Sequence, residues 1–272
     1  DSRRRKAQSM EIEESRHSDI SNATSLSDED SKVLELLITI GHSLRCQRML
    51  GYTDSMSKLK PFGFLYDMKN EHLLPKAKFK GHISIAKTSN PTHVKDSLSL
   101  LKDENVLGFD TETPSQSNKE EKKPSLMQLS SAHTCVLIQI DTDTLPLELV
   151  EFLENDKIVK TGVGVLNDAR ELTRSFENLK KVNGLVELQT WAEKGLSCKP
   201  VSLKALTGIF MSQNLYKPRK TVMSDWSVDR LNSDQRNYAA TDAWVGREIF
   251  FRMKEFTERR GLSQKFCIAQ SV

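Results

Sequence analysis

Several things are scarce in this sequence of 272 residues, and each scarcity removes a class of function. Its four cysteines, Cys46, Cys135, Cys198 and Cys267, form no C-x-x-C pair, and its six histidines are scattered. That excludes a cysteine–histidine zinc site, and the cysteines read as reduced structural thiols of an intracellular protein. No apolar run approaches the roughly 18 residues needed to span a bilayer, so no membrane role is expected. Charge of one sign is scarce as well: 40 Lys and Arg against 37 Asp and Glu leave a net +3. Such a balance points to no partner by itself, and a nucleic-acid surface would have to be local. No internal repeat is visible.

What is present falls into four stretches. Residues 1–30 are polar and rich in Ser and charge, a composition that predicts disorder. Within 31–78, Val33, Leu36, Leu37, Ile40 and Leu44 recur at helical spacing, so a helical extension is expected, packed on the main domain or on a protein partner. From 79 to 256 strand and helix patterns run almost without interruption, and 257–272 forms a tail. Strands are expected at Gly81–Ala86, Val106–Glu112, Ser125–Ser130 and Thr134–Ile140, the last three linked as an antiparallel meander. Helix and strand then alternate, ending in a long helix within 233–256. A meander followed by βαβ-like units makes an α/β fold, a mixed central sheet flanked by helices.

The stretch Val106-Leu-Gly-Phe-Asp-Thr-Glu112 carries the first chemistry. Asp110 and Glu112 are two apart on a predicted strand and so share a face. Two carboxylates there repel unless a cation lies between them, and a divalent metal is the simplest remedy. The alternative is an ordinary polar strand end with two solvated acids. Asp168 follows Gly162-Val-Gly-Val-Leu-Asn at a strand-to-helix junction, where α/β proteins place ligand sites and where a first-turn acid also stabilises a helix. Tyr238 and Asp242 are four apart within Tyr-Ala-Ala-Thr-Asp on the last helix and project from one face. Four hard oxygen donors suit Mg²⁺ or Mn²⁺.

Gly108-Phe-Asp-Thr-Glu112, Gly162-Val-Gly-Val-Leu-Asn-Asp168 and Tyr238-Ala-Ala-Thr-Asp242 resemble the three motifs of the DEDD superfamily of 3′–5′ exonucleases. A tyrosine four before the last aspartate resembles the tyrosine subclass (DEDDy). Lys80-Gly-His-Ile, Ser125-Leu-Met-Gln-Leu, Ser202-Leu-Lys-Ala-Leu and Asp225-Trp226 extend the likeness to the Werner-syndrome-type exonuclease domain, over about residues 79–256. Thr113, where Werner-type domains usually carry Trp, is closer to ribonuclease D relatives.

The resemblance implies a ribonuclease H-like exonuclease fold with a helical N-terminal extension, and metal-dependent release of nucleoside 5′-monophosphates from the 3′ end of DNA or RNA. It implies that Asp110, Glu112, Asp168 and Asp242 hold two ions, Mg²⁺ or Mn²⁺, and that Tyr238 orients the attacking water. Thr111 and the basic run Lys217-Pro-Arg219-Lys220 are candidates for substrate contact, since a nucleic-acid strand needs cations at its phosphates. Lys122 and Lys123 belong with them. The competing reading is a catalytically weak nucleic-acid-binding subunit of a larger complex. Nucleus and mitochondrion are both open as compartments.

Overall fold

Apolar alternation and turn chemistry build one mixed sheet in this computed structural model, which describes residues 72, 74–114, 123–196, 198, 201–259 and 269–272. All of them belong to one compact unit, Asp54–Val272. The disorder expected over 1–30 and the amphipathic helix expected over 32–50 lie outside the described residues. The strands are β1 (His82–Lys87), β2 (Val106–Glu112), β3 (Leu126–Ser130), β4 (Thr134–Gln139), β5 (Val159–Gly162) and β6 (Leu185–Glu187). The helices are α1 (Pro91–Ser99), α2 (Leu147–Glu154), α3 (Val165–Ser175), α4 (Leu188–Thr190), α5 (Leu203–Met211), α6 (Arg219–Val222) and α7 (Ser233–Arg259).

Sheet order is β1-β4-β3-β2-β5-β6. β2, β3 and β4 form the expected antiparallel meander, while β1 joins β4, and β5 joins β2, in parallel. Because β3 alone runs against the rest, the C-terminal ends of β1, β4, β2, β5 and β6 share one edge. That edge is where ligand sites of α/β sheets form.

Alternation divides the side chains between two layers. Leu107, Phe109, Met127, Leu129, Val136 and Ile138 face α1, α2 and α3. The other face meets α5 and α7 through Val186, Leu206, Val245 and Ile249, and nearer the site through Leu126, Leu137, Trp226 and Ala239. Each large side chain buried this way contributes about 1.5–3 kcal/mol.

Local signals set the helix starts. Asn90 accepts a hydrogen bond from His93 N at 3.1 Å, with Pro91 at the first helical position of α1. Asn232 and Gln235 cap α7 reciprocally: Gln235 N donates to Asn232 Oδ1 at 3.0 Å, and Asn232 N to Gln235 Oε1 at 3.1 Å. Two elements were not expected from the sequence. The basic run Lys217–Lys220 enters the short helix α6 after Pro218. α4 passes into a π-turn at Trp191–Gly195. At the far edge Gln270 pairs with Leu185, and Val272 exchanges backbone hydrogen bonds with Val182.

Candidate active site

α7 crosses the sheet against β2 at a distance that only glycine permits. A Cβ on Gly108 would lie 1.7 Å from the carbonyl oxygen of Ala243, so helix and strand are in backbone contact there. This contact brings Asp242, the residue before Ala243, over Asp110, two residues beyond Gly108. Ligand oxygens of Asp110, Glu112 and Asp242 lie within 4.8 Å of one another. Asp110 and Glu112 face α7, as the two-residue period requires.

Asp168 stands in the first turn of α3. Thr111, on the opposite face of β2 from Asp110, donates its hydroxyl to Asp168 Oδ1 at 2.9 Å. The predicted substrate contact Thr111 is thereby engaged in holding an acid. Glu187, at the end of β6, fixes the loop before α3. Its two carboxylate oxygens accept from Gly164 N at 2.9 and 3.0 Å, at a left-handed turn with φ 91°. Sequence reasoning passed over Glu187; the available signal was a single acid inside an otherwise apolar strand.

Of the basic run, the structure brings in only Lys217. Its ammonium donates to Asp242 Oδ2 at 2.5 Å and lies 5.4 Å from the centre of the Tyr238 ring. Arg219 and Lys220 are exposed on α6. Lys123 pairs instead with Asp143 at 2.7 Å, and Lys122 lies outside the described residues. The ring of Tyr238 packs 5.8 Å from that of Trp226, which is fully buried.

The electrostatics follow from burial and crowding. Burial, then the charge of Asp242, raises the Asp110 pKa to about 7. Burial, then Asp110 and Asp242, raises Glu112 to about 9. Burial, then Asp110, raises Asp168 to about 8, against the opposing Thr111 hydrogen bond. Burial raises Asp242 also, and the Lys217 ammonium opposes it. For Lys217 burial works downward, yet Asp242, Asp110 and Glu112 prevail and keep it charged. Burial and the neighbouring acids push the Tyr238 phenol far up, so it stays protonated.

These residues fit a divalent cation. Asp242 Oδ1 is buried with no hydrogen-bond partner among the described residues, and Asp110 and Glu112 crowd around it with pKa values raised by burial and by the neighbouring carboxylates. The donors are hard oxygens, as Mg²⁺ or Mn²⁺ requires.

The profile of the 3′–5′ exonuclease family matches residues 85–258, from within β1 to the last turn of α7. The chain belongs to that family. Within it, the exonuclease domain is 32% identical over 189 residues to the mouse (Mus musculus) bifunctional 3′–5′ exonuclease/ATP-dependent helicase WRN, covering 67% of this chain and 13% of that protein. It is 28% identical over 214 residues to a Drosophila melanogaster 3′–5′ exonuclease, covering 69% of this chain and 60% of the other. The chain thus spans less than two thirds of either relative's length. Among solved structures, Brucella melitensis NrnC shares the fold at a TM-score of 0.56 and 19% identity, over 68% of this chain and 86% of that one. Escherichia coli RNase D does so at 0.53 and 19%, over 64% and 45%. The ribonuclease H-like architecture and the DEDD membership read from the motifs both stand.

Proposed function

We propose that this chain is a metal-dependent exonuclease of the tyrosine subclass, which hydrolyses the terminal phosphodiester at the 3′ end of DNA or RNA and releases nucleoside 5′-monophosphates. The observation that carries the reading is the convergence of Asp110, Glu112 and Asp242 within 4.8 Å, beside the protonated phenol of Tyr238. The family supports the direction of digestion. One fold neighbour, Brucella melitensis NrnC, has been solved with bound Mg²⁺ and bound to pGG.

Asp110, Glu112 and Asp242 would hold the ions, with Asp168 completing the set from across β2. When bound, two ions supply Lewis acidity and neutralise charge at the attacking and leaving oxygens of an in-line displacement. Tyr238 contributes a neutral hydroxyl. It can donate to or orient the attacking water, and burial with the acids around it keeps it protonated in the metal-free chain. Lys217, paired with Asp242, would add a positive charge at the site where negative charge develops on the phosphoryl oxygens. The water oxygen bonds to phosphorus and gives up a proton to solvent, the bond from phosphorus to the 3′-oxygen breaks, and that oxygen takes a proton from solvent to leave a new 3′-hydroxyl.

The test is a digestion ladder on matched 5′-labelled DNA and RNA, single-stranded and duplex, in Mg²⁺, Mn²⁺ or EDTA. Stepwise shortening from the 3′ end is expected with metal only, lost in Asp110→Ala/Glu112→Ala by at least about a hundredfold. The faster of the two polymers identifies the substrate. Full activity in EDTA, or in the double variant, would refute the reading.

A further inference from the structure

The catalytic acids belong to rows that run from β2 across β3 and β4 to β1. Glu112 pairs with Leu126, Leu126 with Gln139, and Gln139 with Lys87. The next row runs from Asp110 through Gln128 and Leu137 to Ile85. Residues paired in register present their side chains on one face, so Lys87 and Gln139 lie on the same face as Glu112. Gln139 is two strand spacings away from it and Lys87 three, the latter about 14 Å at roughly 4.8 Å each. At that end of the row a cavity of about 470 Å³ opens, lined by Lys87, Gln139, His93, Asp229, Arg230 and Arg236 among others.

The walls of this cavity are built. Gln139 Nε2 donates to Val228 O at 2.8 Å, and Lys87 pairs with Asp229, which together clamp the loop before α7 to β4 and β1. The clamp neutralises Lys87 and Asp229 against each other. Arg230 and Arg236 remain, and neither guanidinium has an ion pair or hydrogen bond among the described residues. Arg236 is half-buried. Two uncompensated guanidiniums thus meet in one concavity, at the same sheet edge as the acids. The start of α7 separates the two places: Arg236 faces the cavity, and Tyr238, two residues on, faces the acids.

We propose that this cavity binds backbone phosphates of the nucleic-acid strand whose 3′ end lies at the carboxylates. Guanidinium forks match phosphate oxygens bidentately, and two of them facing one hollow suit a polyanion better than a single ion. A separation of about 10–14 Å corresponds to about three or four nucleotides at the stacked rise of roughly 3.4 Å, and fewer in an extended strand. The cavity therefore grips a phosphate internal to the substrate, and longer strands bind more tightly than short ones. The assignment rests on the exonuclease reading only for where the 3′ end lies.

The experiment measures anisotropy of labelled single-stranded DNA and RNA of about twelve nucleotides against the full chain in EDTA, where no digestion competes, across a salt series. Two variants are compared with the wild type: Arg230→Gln/Arg236→Gln and the charge-retaining Arg230→Lys/Arg236→Lys. Two phosphate contacts on a single strand contribute about 0.7 each to the log–log salt slope, so the glutamine variant should lower it by about 1.4. Its affinity should fall about tenfold, with the slope retained in the lysine variant. An unlabelled dinucleotide, too short to span the gap, should compete with an inhibition constant that moves less than about twofold. An unchanged slope overturns the proposal. So does an equal loss for the dinucleotide, which would place the arginines at the reacting end. If the wild type binds with an arginine-dependent slope yet digests nothing, the exonuclease reading fails and the cavity assignment stands. Digestion with an unaffected slope gives the reverse.

Discussion

Lys217 holds a position that a divalent ion would contest. Its ammonium is 2.5 Å from Asp242 Oδ2, and its side chain is 30% exposed. In the absence of metal it is the cation that offsets part of the repulsion among Asp110, Glu112 and Asp242. Two like charges about 4 Å apart at an effective dielectric near 20 repel by about 4 kcal/mol, so an arriving ion must displace the lysine or share Asp242 with it. Lys217→Met is expected to bind Mn²⁺ about tenfold more tightly, read by electron paramagnetic resonance of the free ion, and to turn over more slowly. Equal or weaker Mn²⁺ binding would show that the lysine does not compete for the site. Tyr238→Phe should lower kcat by about tenfold and leave Mn²⁺ affinity nearly unchanged. Retention of wild-type kcat would remove Tyr238 from the chemistry. The difference in legibility between these two residues is instructive. Tyr238 and Asp242 share a helix, where the 3.6-residue period fixes the face, so their pairing was readable from spacing. Lys217 and Asp242 are 25 positions apart on different elements, and no local period connects them.

At the level of elements, the site depends on how closely α7 can lie on β2. Gly108 is the point of contact, and Gly246, one turn further along α7, makes a looser approach to β5, with a Cβ position 3.0 Å from Thr161 O. Gly108→Ala cannot be absorbed by a side-chain rotation, because the obstructing atom is backbone. The helix has to lift from the strand, carrying Asp242 away from Asp110. The expected result is a loss of about 3 kcal/mol or more in chemical denaturation, together with weakened Mn²⁺ binding. A neutral effect on both would mean that α7 is free to shift. Much of this layer was legible. The β2–β3–β4 meander and the last helix carry strong periods, and each element gave its own boundaries to within a few residues. The pairing of β1 with β4 in parallel was not, because register between distant strands is set by tertiary packing. α6 and the π-turn after α4 are too short to carry a period at all. The closeness of α7 to β2 had a signal, a glycine inside an apolar strand run, but the sequence does not name the partner that the missing Cβ admits.

Across the whole molecule, the acid cluster ties stability to proton and metal concentration. Unfolded carboxylates titrate near pH 4. In the folded chain Asp110 is raised to about 7, Asp168 to about 8 and Glu112 to about 9. A raised acid binds its proton more tightly when folded, so its protonated form stabilises the fold. That contribution is complete below about pH 4 and is lost as pH rises through the folded values. Lys160 acts in the opposite sense above about pH 8: burial lowers it to about 8, and folding then disfavours its charge until the unfolded lysine also deprotonates. Between about pH 5 and 8 the acids therefore dominate, and metal-free protein should lose thermal stability as pH rises. Bound Mg²⁺ or Mn²⁺ supplies the charge that protons otherwise neutralise, so its stabilising shift should widen over the same interval and its binding should release protons. The comparison that isolates the cluster is the wild type against Asp110→Asn/Glu112→Gln, with Tm followed across pH in EDTA and in Mg²⁺. The variant, having no charge to develop at those two positions, should show a flatter metal-free slope and a small, pH-independent metal shift. A metal-free wild type whose stability rises over that interval, or whose metal shift ignores pH, would mean that the acids are already ionised and balanced in the fold. Lys217 would then have to be the group that balances them.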